Sequence, residues 1–511
     1  MGIIRLEKDS NDGKVVIDTL IQDAVGRNKY LWQFACFCSA QEKRASIALD
    51  GGWGTGKSFF LRQLQVLFDA YSNKPKQLIE DQQKAIRLLF QDYKKNDGMG
   101  MPIHPHVCVY YDAWLNDNAE DPMRSILHEI ITETDTNKLF EKKSYLHKIY
   151  NRIRSFFRKQ SFSPSLMEAL KTLCNAADAI NPLNPPEIIF PYLKAGKAVQ
   201  PFFEYLKKNN PVHEIDIQKR FHKAFEDYLD EAITDKKSRL LVLIDELDRC
   251  KPTYAVKLLE RIKHYLSNEK ITFVFAVNEP QLQSTIRAFY GDDFRACEYL
   301  DRFFDYRLSL PPPDSNRFFN YYSLFHIDKE SAVYLAVCEA VIKEYSFSLR
   351  EIIKYMQWVR IVCKSFIIRG NDSEQLGWQF IMHIIIPFVL GLRLRDTNLL
   401  NSFLAGKQHD HNPLRTVIEH CEIAQYFLFL PQRPFVFPKD AKFDRNKMIS
   451  ALSNLDNLYS IVFVNKLKGN DSQSMLSFTI TKEMIDTVYE ASNFMADFIK
   501  YDTNTEETAN G

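Results

Sequence analysis

The sequence predicts an α/β fold in which helices cover both faces of a parallel sheet, followed by a mainly helical domain and a small mixed C-terminal region. Short apolar runs alternate with helical segments as far as residue 310, and this alternation is typical of parallel strands joined by helical crossovers. After the triple proline at residues 311–313 the strand pattern largely disappears, and residues 316–430 have the periodicity of helices.

Five apolar segments have the composition of strands, and helical periodicity fills the intervals between them. The predicted strands are residues 46–49, 107–111, 240–244, 271–277 and 306–310. The predicted helices are within residues 15–43, then 57–70, 76–95, 122–132, 221–233, 253–266, 281–290 and 297–304.

These elements predict four regions along the chain. An N-terminal arm covers residues 1–28, and the sheet domain covers 29–312 with helical insertions at about 71–105 and 133–215. A helical lid domain over 313–430 and a C-terminal region over 431–511 follow, with a disordered tail from about residue 502.

The composition is that of a globular protein. Of the 511 residues, 26% are charged and 45% are hydrophobic, and the formal net charge is +1. These values exclude collagen-like and wholly disordered classes, and they give no overall reason to expect an anionic partner. The nine cysteines include no CxxC pair, and the N-terminus lacks the apolar core of a signal peptide. We therefore expect reduced thiols and a cytoplasmic location.

The most apolar run of the chain, residues 380–392, contains a histidine, a proline and a glycine. A helix that spans a membrane needs about 20 apolar residues, and this run is shorter. We therefore expect a buried helix there and no transmembrane segment.

The strongest motif is a glycine-rich turn between the first predicted strand and the following helix. It reads Gly51-Gly52-Trp53-Gly54-Thr55-Gly56-Lys57-Ser58 and fits the P-loop pattern G-x-x-x-x-G-K-[ST]. Backbone N–H groups of such a loop, here as far as Phe59, converge on phosphate oxygens at the positive end of a helix. Lys57 is expected to bind the β- and γ-phosphates, and Ser58 to coordinate Mg²⁺.

An acidic pair follows the third predicted strand, as such a site requires. Five apolar residues bring Asp245 and Glu246 to the carboxyl edge of the sheet, where open α/β sheets bind ligands. Asp245 is expected to hold Mg²⁺ and Glu246 to orient or deprotonate the attacking water. Asp248 is interpreted more simply, as a helix cap.

Three further side chains are candidates with simpler alternatives. Asn278 ends the fourth strand and could bind the γ-phosphate or the attacking water, or it could only form a turn. Arg302 precedes the fifth strand and could act on a neighbouring subunit's nucleotide, or pair locally with Asp301 or Asp305. Arg350 opens a helix of the lid domain and could contact phosphate, or be an ordinary exposed arginine.

Taken together, these residues resemble the KAP family of P-loop NTPases in the STAND/AAA-like branch, over about residues 25–130 and 215–360. The resemblance is carried by GGWGTGKS, YYDAW at 110–114, LIDELDRC at 243–250, FAVNEPQL at 275–282 and YLDRFFDYRLSLP at 299–311. The family usually has Asn at the position of Asp112. Many relatives insert membrane-spanning helices after the second strand, but here Lys194, Lys197 and Glu204 interrupt the most apolar part of the insertion.

The resemblance implies an ATP hydrolase, with ATP and Mg²⁺ as ligands, that works as a switch or assembly engine in a homo-oligomer. It also implies protein partners encoded nearby and a role in bacterial antiviral defence. A nucleotide-gated scaffold that hardly turns over is one alternative. Another is a nucleic-acid or membrane-surface module on residues 138–159, which hold eight Lys/Arg, one acid and an apolar helical stripe. A solvated helix docked on its own domain is the simpler interpretation of that segment.

Overall fold

A computed structural model describes residues 13–72, 77–96, 103–135, 238–326, 332–365, 372–407, 412–429, 445–464 and 472–492, except residues 120, 267, 476 and 477. It also describes residue 75 and four residues between 225 and 233. The basic segment 138–159, nearly all of the insertion at 133–215 and the tail from residue 502 lie outside the described residues.

Five parallel strands form the central sheet, in the order β2-β3-β4-β1-β5. They are β1 (Ala45–Asp50), β2 (Val107–Asp112), β3 (Leu240–Asp245), β4 (Ile271–Val277) and β5 (Tyr306–Ser309). The predicted α/β class is therefore confirmed, and each predicted strand lies within two residues of its position. The strand order places β1 between β4 and β5, so the loop after β1 lies at the carboxyl edge, flanked by the ends of those two strands.

Helices cover the two faces of this sheet in two groups. Four precede or separate the first strands, namely α1 (Gly13–Ile21), α2 (Asn28–Ser39), α3 (Lys57–Tyr71) and α4 (Glu80–Asn96). They share one core with Ile47, Leu49, Leu241 and Leu243 of the sheet. The opposite face is covered by α5 (Pro122–Asp135), α6 (Pro252–Tyr265), α7 (Glu279–Tyr290) and α8 (Ala296–Leu300).

The alternation of side chains along each strand explains this division. Successive residues of a strand point to opposite faces, so Ile47 and Leu49 join the first core while Ala48 joins the second. All six residues of β3 and all seven of β4 are buried, as expected for central strands covered on both sides.

Helices dominate the chain beyond β5, as predicted. They are α9 (Ser315–His326), α10 (Ala332–Glu344), α11 (Leu349–Ser365), α12 (Asp372–Phe380), α13 (Ile386–Arg395), α14 (Thr397–Leu404), α15 (Pro413–Glu419), α16 (Glu422–Phe429), α17 (Arg445–Tyr459) and α18 (Lys482–Ser492). An antiparallel pair, β6 (Ser472–Met475) and β7 (Phe478–Thr481), precedes α18. Seven of the cysteines within the described residues are free thiols, namely Cys36, Cys38, Cys108, Cys250, Cys297, Cys338 and Cys421.

The helix that contains the apolar run at 380–392 is longer than the run itself, so the expectation that it is too short to span a membrane is wrong. A π-helical turn over Ile381–Ile385 joins α12 to α13, and it brings Pro387 into the first turn of α13, where a missing N–H is tolerated. The continuous helix Glu374–Arg395 has 22 residues, and its most apolar 18-residue window has a mean hydropathy of 1.5, enough by length and composition to cross a membrane. However, 83% of its most apolar window is buried within the fold, as a core helix would be.

Candidate nucleotide site

The loop after β1 has the backbone of a phosphate-binding turn. Gly54 and Gly56 adopt positive φ angles of 76° and 90°, which residues with a side chain rarely adopt. The first intrahelical bond of α3 runs from the Phe60 N–H to the Gly56 carbonyl, at 2.9 Å. The N–H groups of Lys57, Ser58 and Phe59 therefore precede the helical hydrogen bonds and remain for an anion. The Phe59 side chain itself is buried in the core.

Lys57 turns its ammonium group back into the loop. Its Nζ donates to the carbonyl oxygens of Gly51 at 2.6 Å and Gly52 at 3.1 Å. Burial lowers the pKa of Lys57, while the carboxylates of Asp248, Asp245, Glu246 and Asp50 oppose that shift. A cation held at the base of a glycine-rich loop is placed to neutralise phosphate oxygens.

Asp245 is the end of β3 and lies beside Ser58 of α3. The carboxylate is almost fully buried, and burial raises its pKa against the opposing effect of a hydrogen bond from Ser58. Tyr110 Oη donates to Oδ2 at 2.8 Å, and the backbone N–H of Glu246 donates to Oδ1 at 2.9 Å. The two residues expected to hold Mg²⁺ are thus in contact.

Glu246 follows in a left-handed conformation with φ of 58°. Its Oε2 lies 2.5 Å from Nε of Arg249. Burial, and then Asp245, raise the pKa of Glu246 to about 7, while Arg249 acts in the opposite direction. A carboxyl group with a pKa near neutrality is suited to act as a general base.

The lid domain contacts the loop through the first turn of α11. Ser348 and Glu351 form a reciprocal capping box there, with N–H to side-chain distances of 2.8 and 3.4 Å. A Cβ placed on Gly54 would lie 2.8 Å from Ser348 Oγ and 3.4 Å from Arg350 Cβ. The structure therefore places Arg350 next to the P-loop, and its contact with phosphate stays a prediction.

Ser58 and Asp245 fit a magnesium ion in their chemistry. Mg²⁺ prefers oxygen ligands and is usually bound by one or two protein groups together with phosphates and water. Ser58 and Asp245 supply a hydroxyl and a buried carboxylate. Among the described residues no group of three or more His, Cys, Asp or Glu side chains could hold a metal.

Comparison with known families agrees with this geometry. The profile of the KAP family P-loop domain matches residues 28–365, about two thirds of the chain. The chain belongs to the KAP family of P-loop NTPases. No curated protein matches the sequence significantly. Membership of the family supports nucleotide binding by this KAP domain and, usually, a divalent metal beside the nucleotide.

Asp248 has a role in the KAP site that its interpretation as a helix cap missed. It lies in a 3₁₀ turn, Leu247–Arg249, and its buried Oδ2 accepts a 3.0 Å hydrogen bond from Nε1 of Trp53. This bond joins the P-loop to the 3₁₀ turn that follows β3. The signal available in the sequence was the pairing of a tryptophan inside the P-loop with a third acid after β3.

Arg27 is a second residue that sequence reasoning missed, because it was assigned to the N-terminal arm. Its Nη1 donates to the Thr55 carbonyl at 2.8 Å, and its Nη2 donates to the carbonyl of Pro311. The side chain is buried, which lowers the pKa of Arg27 to about 10. Arg27 therefore joins the P-loop to the segment between β5 and α9.

The structure places Asn278 at the expected strand end but gives its side chain a capping contact. Its Oδ1 accepts from the N–H of Gln281 at 3.4 Å at the start of α7. This is the contact expected from the simpler alternative. The neighbouring Val277 carbonyl accepts from the Gly51 N–H at 3.1 Å, so Asn278 lies next to the P-loop.

Arg302 lies at the opposite edge of the sheet from the P-loop of its own KAP domain. It is exposed and comes just before the amino end of β5. The local partners considered for it are engaged elsewhere, because Asp301 pairs with Arg307 at 2.6 Å and Asp305 accepts from the Ser46 N–H at 2.8 Å. Because Arg302 lies at the amino edge of the sheet, it does not reach the nucleotide site at the carboxyl edge of its own chain. It could contact a nucleotide only in another molecule.

Proposed function

We propose that this KAP protein is a Mg²⁺-dependent ATPase whose nucleotide cycle drives a conformational switch or an assembly step. The observation that carries the proposal is the contact between Ser58 and Asp245, with Lys57 on one side and Glu246 on the other. A nucleotide phosphate and a metal ion require these four groups together.

The residues present divide the work of phosphoryl transfer to water among them. The N–H groups that begin α3 and the Lys57 ammonium bind the phosphates. Ser58 and Asp245 would hold Mg²⁺, which supplies charge neutralisation to the β- and γ-phosphate oxygens when it is bound. Glu246 accepts the proton of the attacking water, and Arg350 contacts the phosphates from the lid.

ATP rather than GTP is supported by the family resemblance and by the absence from the sequence of the guanine-reading N-K-x-D pattern. The resemblance to bacterial relatives also supports a role in antiviral defence. Plaque counts test that role: the wild type should lower them and Lys57→Ala should not, and equal counts with and without the wild-type protein would contradict it.

A slow or non-hydrolysing scaffold is favoured by one specific observation. The proposed base, Glu246, is paired with Arg249 at 2.5 Å, and a carboxylate that is neutralised by a cation is a weaker base. In this alternative ATP binding assembles the protein, and turnover waits for a partner that separates the pair.

Two substitutions separate the functions. Lys57→Ala should abolish binding of ATP, because it removes the phosphate cation. Glu246→Gln should bind ATP normally but lose hydrolysis by about a hundredfold or more, because only the base is removed. Binding is measured by calorimetry and hydrolysis by phosphate release. Wild-type binding without turnover would establish the scaffold, and hydrolysis by Glu246→Gln at the wild-type rate would contradict the role of Glu246.

A further inference from the structure

Tyr110 belongs to the sequence motif YYDAW, to which the proposed function assigns no role. It is the fourth residue of β2, and β2 pairs with β3 so that Tyr110 is opposite Leu243 and Asp112 is opposite Asp245. Because strand side chains alternate, Tyr110 packs against the core that contains α3, while Tyr111 lies in the core of the opposite face. Two adjacent tyrosines therefore serve different sides of the sheet.

On its side Tyr110 is bonded to the carboxylate that is expected to hold Mg²⁺. The Tyr110 hydroxyl donates to Asp245 Oδ2 at 2.8 Å, while the Glu246 N–H donates to Oδ1 at 2.9 Å. One donor on each oxygen fixes the rotation of the carboxylate plane. A phenol also stays protonated at neutral pH, so it donates to the carboxylate and does not compete for the metal.

The ring of Tyr110 is itself held in place. The Arg62 guanidinium carbon lies 3.4 Å from the centroid of the ring, within the range of a cation–π contact. Arg62 is four residues after Ser58 on α3, so both side chains project from one face of that helix. Ser58, Asp245, Tyr110 and Arg62 thus form a closed chain of contacts between α3, β3 and β2.

We propose that Tyr110 is a positioning residue for the magnesium site and that Arg62 fixes its ring. The inference rests on the proposed function, because the ion in question accompanies the nucleotide. Groups that orient a metal ligand typically contribute 10- to 100-fold to metal affinity. Tyr110→Phe removes one hydroxyl and retains the ring, so it isolates the hydrogen bond to Asp245.

The experiment measures the affinity for a fluorescent ADP analogue with Mg²⁺ and again with EDTA. In the wild type Mg²⁺ should tighten binding. In Tyr110→Phe the Mg²⁺ concentration that produces half of this effect should rise by about 10- to 100-fold, while the affinity in EDTA stays unchanged. Arg62→Met, which removes the stacked cation, should show a smaller shift in the same direction.

Tyr111→Phe is the matched control. This variant also removes a buried hydroxyl, whose oxygen lies 2.5 Å from the Tyr254 hydroxyl oxygen on the opposite face of the sheet. The Mg²⁺ dependence of nucleotide binding should not change. An unchanged Mg²⁺ dependence in Tyr110→Phe, or an equal shift in both variants, would overturn the inference. If the wild type bound no nucleotide at all, the proposed function would fail instead.

Discussion

At the scale of single residues, burial shifts the pKa values of two charged groups of the site toward their neutral forms. Lys57 and Glu246 illustrate this, since burial lowers the pKa of the lysine and raises that of the glutamate. Both shifts favour the neutral form, and both groups lie within a few residues of a proposed phosphate or metal ligand. Nucleotide phosphates would favour the charged form of Lys57, and a metal ion would favour that of Glu246, by supplying the opposite charges.

The raised pKa of Glu246 predicts an acid limb in the rate of ATP hydrolysis. The pKa of Glu246 without bound ligands is about 7, and Mg²⁺ beside Asp245 would favour the ionised carboxylate, so the limb should lie between pH 5 and pH 7. Below its pKa the carboxyl group is protonated and cannot accept a proton from water, so kcat should fall about tenfold for each pH unit. Phosphate release at saturating Mg-ATP, between pH 5 and 8.5, measures this limb. A rate that is flat down to pH 5 would show that Glu246 is not the base.

At the scale of secondary-structure elements, the P-loop is enclosed by chain segments that are distant in the sequence. A Cβ on Gly56 would meet Leu349 Cδ1 at 2.9 Å and Arg27 Nη1 at 3.5 Å. Arg27 belongs to the turn before α2, and Leu349 begins α11. The loop therefore cannot change shape without moving a neighbour on one side or the other.

Arg27 should therefore contribute to nucleotide affinity. Arg27→Lys keeps the charge but cannot donate to both the Thr55 and Pro311 carbonyls, and we expect ATP to bind on the order of tenfold more weakly because the loop is less ordered. Calorimetric titration with Mg-ATP measures the change.

Arg239 provides a closely matched control. It is buried, its guanidinium donates to the carbonyls of Gln41 and Glu269, and its Nε has no hydrogen-bond partner within the described residues, as is true of Arg27. However, it precedes β3 at the amino edge of the sheet, away from the P-loop. Arg239→Lys should lower the melting temperature as Arg27→Lys does and leave ATP affinity unchanged; equal losses of affinity would refute a specific role for Arg27.

The elements show what the sequence could and could not predict. Apolar runs and the P-loop pattern located all five strands and the loop because local composition determines them. The contacts of Arg27 and Tyr110 were not predictable, since each depends on which distant carbonyl or carboxylate the fold brings within 3 Å. The length of the helix Glu374–Arg395 was underestimated because a π-helical turn carries the helix past Pro387.

At the scale of the whole molecule, the placement of Arg302 predicts that the site is completed by another copy of the chain. We expect a homo-oligomer in which Arg302 of one subunit reaches the nucleotide of the next. The planar guanidinium can supply two donors and a permanent charge to phosphate oxygens, and such residues contribute roughly 10³- to 10⁵-fold in rate elsewhere.

A mixing experiment tests this arrangement. Arg302→Ala and Lys57→Ala should each be inactive alone, and their mixture should recover part of the activity because some interfaces join an intact P-loop to an intact Arg302. Arg295→Ala is a matched control, since Arg295 is an exposed arginine that pairs with Glu298 at 2.9 Å, and it should retain activity. A fully active Arg302→Ala protein, or a specific activity independent of protein concentration, would exclude the arrangement.

The pairing of β2 with β3 has a consequence for how this fold can diversify. The two strands are adjacent in the sheet, yet β2 ends at residue 112 and β3 begins at residue 240. The entropy lost in closing a flexible connection grows only with the logarithm of its length, so each doubling costs about 0.6 kcal/mol. Segments of very different size and chemistry can therefore be exchanged between these strands while the nucleotide site, which is formed at their carboxyl ends, stays the same.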